Sequence, residues 1–261
     1  LVPADSRTIE RGLIVLDKPQ DTYVFTGIEA APALSLNRGF SAPIKLTTNL
    51  TSDDLRRLAA SDSDPFNRWQ AVQTLATALL VGNVARLRAG QEPDADEGLL
   101  DALAAILSDE TLEPAFIAEA LVPPSETDIA REIGRDVDPD AIFQARAGLR
   151  ALMGLHLNAR LAETYRAMRV SGHYSPNAEA AGRRALRNVC LDLMAATGEP
   201  HAIGLATAQY EAADNMTDRM AALATLNQHQ GKARDTAMSD FYDRFKDDPL
   251  VVDKWLTLQA M

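Results

Sequence analysis

Four histidines, one cysteine and the adjacent carboxylates Asp53-Asp54, Asp109-Glu110 and Asp247-Asp248 are among the residues whose types could bind a metal or move a proton, and their spacing is the first test. Two histidines at i and i+4 with a glutamate between them can face one zinc ion from a single helical turn. His156, His173, His201 and His229 are instead 17, 28 and 28 residues apart, and none has a second His or a Cys within four positions. They read as surface or core-edge residues. Cys190 lies in Arg183-Arg-Ala-Leu-Arg-Asn-Val-Cys-Leu191, where Leu186, Val189, Cys190 and Leu193 share one helical face. That setting argues for a buried thiol packed as a small hydrophobe. Arg183, Arg184 and Arg187 make a basic face expected to pair locally with carboxylates, an anion pocket being the alternative. Asp53-Asp54, Asp109-Glu110 and Asp247-Asp248 are neighbours that point in different directions on a helix, so they read as caps and solvated turns. Trp69 and Trp255 each sit on an apolar stripe and read as core anchors. Paired glycosidase carboxylates, a G-x-S-x-G elbow and a G-x-x-x-x-G-K-[ST] loop cannot be placed. The expectation is that this chain supplies no catalytic, cofactor-binding or metal-binding residue.

The background is acidic. Over 261 residues, 26 Lys+Arg against 37 Asp+Glu leave a net charge of −11. A broad grip on phosphate backbones needs clustered cations, so nucleic acid is not an expected partner. The longest mainly apolar run, Leu75 to Ala85, is interrupted by Thr77 and Asn83 and is far short of the roughly 20 residues of a membrane helix, so no membrane is expected either. A single cysteine leans towards a reducing compartment and a cytoplasmic location. The start, Leu1-Val-Pro-Ala-Asp-Ser-Arg-Thr8, has no initiator Met and no signal segment, and reads as an internal boundary or processed end.

The elements that must position these residues change character near Thr51. Residues 1–50 contain strand-like runs at Leu13–Leu16, Thr22–Thr26 and Ile44–Leu50, the last with Ile44, Leu46 and Leu50 on one face. They are separated by Pro19, Gly27, Pro32, Gly39 and Pro43. Three or four short strands make a thin sheet that needs a partner layer. From residue 51 onward helical spacing takes over. Asp64-Pro65, Asp138-Pro139, Ser175-Pro176 and Asp248-Pro249 place an oxygen-bearing cap before a proline suited to the first helical position. Ser125-Glu-Thr-Asp128 resembles a capping box. After Asp64 the stripe Phe66, Trp69, Val72, Ala76, Leu79, Leu80 and Leu87 predicts a helix to about Ala89. Further helices are predicted over 53–61, 97–108, 114–121, 126–134, 139–170, 177–197, 200–213, 217–229 and 232–246, with a last one containing Val251, Trp255 and Leu258. Short connections favour antiparallel hairpins stacked as an α-solenoid or an irregular bundle.

Five stretches, in order, resemble the C-terminal part of the bacterial aminopeptidase N family of gluzincin zinc exopeptidases. They are Leu36-Asn-Arg-Gly-Phe-Ser-Ala-Pro-Ile-Lys-Leu46, Ser63-Asp-Pro-Phe-Asn-Arg-Trp-Gln-Ala71, Arg183 to Leu191, Ala213-Asp-Asn-Met-Thr-Asp-Arg-Met-Ala-Ala-Leu223 and Leu250 to Ala260. The resemblance implies a mainly α fold: an armadillo-like or HEAT-like solenoid of helix hairpins over 51–261, preceded by a partial β-sandwich over 1–50, with both ends truncated relative to the family. It implies a parent enzyme that removes N-terminal amino acids from peptides, with zinc in a catalytic domain upstream of residue 1. No residue here matches the family's H-E-x-x-H, its downstream Glu or its G-x-M-E-N segment, so this chain is expected not to be an enzyme by itself. Its expected partners are the parent's own catalytic domain and the parent's peptide substrates, and its expected role is to limit access to the active site. The alternative is an independent helical-repeat scaffold that binds peptides or proteins along a concave surface. A third reading is a stand-alone hydrolase whose site is assembled from distant residues.

Overall fold

The structure, a computed structural model, describes residues 2–3, 14, 18–170 and 172–260. The chain divides into two compact units, Leu1–Leu34 and Ser35–Met261. In the first, β1 (Val2–Pro3) pairs antiparallel with β2 (Phe25–Thr26). The second begins with a 3-10 turn at Arg38–Phe40 and continues through twelve helices. These are α1 (Ser52–Ser61), α2 (Pro65–Arg88), α3 (Glu97–Leu107), α4 (Pro114–Ala120), α5 (Glu126–Ile133) and α6 (Pro139–His156), followed by α7 (Asn158–Ala167), α8 (Ala178–Ala195), α9 (Pro200–Ala212), α10 (Met216–Asn227), α11 (Lys232–Phe245) and α12 (Pro249–Ala260).

Helix starts follow from side-chain oxygens that satisfy the first orphaned amides. Asp64 accepts from the Asn67 amide at 3.0 Å, and Asp138 from that of Ala141 at 3.0 Å, each with proline as the first helical residue. Asp248 accepts from the amides of Leu250 and Val251 ahead of α12. At Ser125 the hydroxyl takes the Asp128 amide at 3.1 Å, and the Asp128 carboxylate returns to that hydroxyl. The reciprocal capping box forms at α1, where Thr51 and Asp54 exchange hydrogen bonds through backbone and side chain.

The helices build two rows. α2, α6, α8, α10 and α12 each touch the next, while α1, α3 and α7 form a second row that α9 and α11 continue. Cross-contacts of α1 with α2, α7 with α8, α9 with α10 and α11 with α12 close the layers on one continuous core. That is the armadillo-like, mainly helical architecture. α4 packs against α8, α2 and α3, and α5 against α2 and α6. The central α2 is buried on a broad face, Arg68, Ala71, Val72, Leu75, Ala76, Leu80 and Val84, wider than the stripe its spacing predicts. Phe66, Trp69, Leu79 and Leu87 on that stripe are only half-buried, because neighbours pack on α2 from several sides.

Three local expectations need correction. The helix predicted over 139–170 is two, broken at Leu157 (φ −96°, ψ 1°), a residue only 1% exposed. No Gly or Pro stands at the bend; it lets α6 run along α2 and α8 while α7 turns to pack chiefly on α8 and touches α3. α8 starts after Asn177, not Ser175: the Asn177 carboxamide accepts the Ala180 amide at 2.8 Å, leaving Pro176 outside the helix. In the first 50 residues β2 covers only the end of the Thr22–Thr26 run, and Ile44–Leu50 is not a strand, with Ile44 and Leu46 exposed. An isolated extended segment needs a pairing partner and a covered face, and among the described residues no strand lies beside it. The Leu13–Leu16 run lies outside the described residues except for Ile14.

Candidate functional site

The residues singled out for chemistry are dispersed. Cys190 is completely buried in α8, and burial pushes its thiol up to about 12, so at neutral pH it is the protonated, poorly nucleophilic form. His156 Nε2 lies 3.2 Å from Asp101 Oδ1, while His173 and His201 are exposed. His229 follows α10, half-buried, with its Nε2 shielded and without a hydrogen-bond partner among the described residues. Desolvation, reinforced by the Arg150 guanidinium, holds its imidazole below the usual range against the opposing pull of Asp192.

The basic face of α8 departs from its expected use. Arg183 donates to the Ala167 carbonyl, Arg184 to the Ser175 carbonyl beside the Tyr174 ring, and Arg187 to the Tyr165 hydroxyl at 3.0 Å while stacking on that ring at 4.4 Å. Carbonyls and aromatic faces take the place of the predicted carboxylates, because α7 and the loop after it lie over this side of α8. Among the paired carboxylates, Asp53 pairs with Arg56 at 2.7 Å, Asp54 closes the α1 box, and Asp248 caps α12. Asp109 is held at about 2 by the Thr111 hydroxyl and the Arg68 guanidinium. Trp69 packs on Phe66, and Trp255 packs on Tyr242 while donating to the Met238 carbonyl at 2.9 Å.

Two polar clusters join residues that spacing did not connect. Between α7, α8, α9 and α10, the Tyr165 hydroxyl donates to Gln209 at 3.1 Å, and Gln209 donates to Asn188 at 2.7 Å and to the Asp218 carbonyl at 3.2 Å. Asn188 and Asn215 in turn donate to the Asp218 carboxylate. Between α6, α8 and the end of α10, Arg150 donates to Asp192 at 2.7 Å and to Gln228 at 2.6 Å. The only hint in the sequence was indirect: Arg187, Asn188, Asn215 and Asp218 all fall in stretches that carry the family resemblance. Both clusters tie helices together, and their side chains bond one another. The cavity between α2, α3 and α6, about 10 Å³ and lined by apolar side chains such as Val72, Leu103 and Met153, is at the lower limit of the space one water needs.

Zinc needs three or four converging N, S or O ligands. Among the described residues no three of His, Cys, Asp and Glu gather in a way that could hold a metal ion. His156 and Asp101 supply a single pair.

The family model described as "Domain of unknown function (DUF3458_C) ARM repeats" matches residues 52–261, and that described as "Domain of unknown function (DUF3458) Ig-like fold" matches residues 1–49. The aminopeptidase N of Caulobacter vibrioides is 39% identical over 265 residues, covering 100% of this chain and 30% of the relative. That of Escherichia coli is 36% identical, covering 92% of this chain and 28% of the relative. Among solved structures, the crystal structure of Legionella pneumophila aminopeptidase A in complex with aspartic acid matches with a TM-score of 0.75 and 25% identity, over 90% of this chain and 28% of that one. The chain thus spans less than a third of the length of the curated relatives it matches.

Proposed function

Since the chain belongs to the DUF3458_C family of ARM repeats, we propose that it acts as the helical C-terminal part of an aminopeptidase N-type exopeptidase. The chain is similar to the C-terminal region of aminopeptidase N proteins. The observation that carries the proposal is the 39% identity that runs through 100% of this chain yet 30% of its relative. In this reading the whole protein removes N-terminal amino acids from peptides, using zinc held by a catalytic domain that this chain does not supply. The helical part, from about residue 51, limits which peptides reach that domain, and the protein works in the cytoplasm. No helix among the described residues is long and apolar enough to cross a membrane.

The test is hydrolysis of a panel of aminoacyl chromogenic substrates by two proteins, this chain and a longer one that joins it to an upstream catalytic region, with bound metal quantified in each. The expected result is zinc-dependent turnover by the longer protein, and neither turnover nor stoichiometric metal for this chain. Turnover by this chain that tracks bound zinc would return the chemistry to its own residues. An inactive longer protein would instead favour a peptide-binding scaffold.

A further inference from the structure

The first two stretches that carry the family resemblance, far apart in sequence, hold each other in space. Residues 35–42 lie against the α1–α2 hairpin through side chains on both sides. Arg38 donates to Asp62 at 2.6 Å, to Ser63 at 2.8 Å and to Ser35 at 2.8 Å. Asp62 is the C-cap of α1, and its side chain is only 2% exposed. The amide of Gly39 donates to Asp64 Oδ2 at 2.7 Å while Asp64 Oδ1 caps α2, so one carboxylate both starts the helix and anchors the segment. Asn67, in the first turn of α2, donates to the Ser35 hydroxyl at 2.7 Å and to the Leu36 carbonyl at 2.9 Å. Phe40 stacks on Phe66 with ring centroids 5.3 Å apart.

The backbone of the segment points the same way. Asn37, Gly39 and Phe40 have φ of 52°, 62° and 50°. A bulky residue such as Phe in the left-handed region costs free energy and persists only where its surroundings over-determine it. Here Asn37 closes the turn from inside, accepting the Ala42 amide at 3.0 Å and, through its carbonyl, the Phe40 amide at 3.1 Å. By contrast residues 45–49, just beyond it, are exposed and belong to no helix or strand.

We propose that residues 35–42 are a docked strap, a permanent N-terminal cap of the helical repeat. The connection at residues 43–51, where sequence character switches from strand-like to helical, is then a closed loop that carries no hinge motion. Residue-resolved amide exchange on the whole chain tests this. In the unaltered protein the amides of Gly39, Phe40 and Ala42 should exchange at least tenfold more slowly than those of residues 45–49, after correction for intrinsic rates. Arg38→Ala should accelerate them by about tenfold or more while α8 and α10 keep their protection, and Arg38→Lys should do so only in part, since one ammonium cannot serve three acceptors with the geometry of a guanidinium. Should Arg38→Ala disturb the helices as well, Gly39→Ala strains the strap alone, because its φ disfavours a side chain and no atom lies within 4 Å of the added Cβ; it should release the same three amides. Exchange of 39–42 as fast as 45–49 in the unaltered protein, or strap amides that neither variant accelerates, would overturn the proposal.

Discussion

His229 shows how a residue that spacing set aside can acquire a property from its surroundings. Its shielded Nε2 has no partner among the described residues, and Arg150 nearby is engaged with Asp192 and Gln228. Protonation would place a second cation there with no acceptor. Because desolvation and then Arg150 depress the folded-state value, the unfolded chain binds more protons in mild acid. This part of the stability is complete above the ordinary histidine pKa of about 6.5 and is lost as pH falls below it. The urea midpoint should therefore decline as pH falls below about 6.5, and His229→Gln should flatten that decline. An unchanged slope in the variant would show that another group titrates there. The depressed carboxylates act in a different window: the contribution of Asp109, held at about 2, is lost only in stronger acid, as pH falls from the ordinary carboxylate range towards that value.

At the scale of the elements, helix contacts are set by where side chains are small as much as by where they are large. A Cβ on Gly154 would stand 2.2 Å from the Leu193 carbonyl oxygen, so the close approach of α6 to α8 requires hydrogen at that position. A Cβ on Gly148, in the same helix, would meet nothing within 4 Å. Gly154→Ala should destabilise by about 1–3 kcal/mol through forced separation of packed backbone. Gly148→Ala should be neutral or stabilising by up to about 1 kcal/mol, from helix propensity alone. Thermal unfolding followed by circular dichroism separates the two, since each kcal/mol moves the midpoint by roughly 2–4 °C in a chain of this size. A Gly154→Ala midpoint at or above that of the unaltered protein would mean the helices can part at no cost. The break at Leu157 belongs to the same scale, because it lets α7 pack on α8, where Leu161 and Tyr165 are buried and the Tyr165 hydroxyl accepts from Arg187.

Across the whole molecule, stability is shared unevenly along the rows. α8 packs against α4, α6, α7, α9 and α10 and buries Leu186, Cys190, Leu191, Leu193 and Met194. α12 contacts α10 and α11, contains no fully buried residue and leaves Leu250 76% exposed. In a stacked architecture each element is held by its neighbours, so opening should begin where neighbours are fewest. Native-state hydrogen exchange should find α12 the least protected of these two helices by a wide margin. Trp255→Ala should raise exchange in α12 and leave α8 unchanged. Leu193→Ala, at a side chain 1% exposed, should lower global stability by about 2–5 kcal/mol. Equal protection of α8 and α12 would indicate one cooperative unit without a weak end.

Residue order by itself determined the helical class, the onset of helices after Thr51 and the starts of α2, α6 and α12, because hydrophobic period and capping are local and act within a few residues. It also determined that no histidine has a second His or a Cys within one helical turn. Tertiary structure alone decided the rest. The Leu157 break has no Gly or Pro to announce it, and arises from the different neighbours of α6 and α7. The partners of Arg183, Arg184 and Arg187 depend on which carbonyls and rings the fold lays over α8. The strap on α1–α2 joins residues more than 20 positions apart. A hydrogen bond between distant residues leaves no periodic trace in the chain; its geometry is created only when packing brings donor and acceptor together.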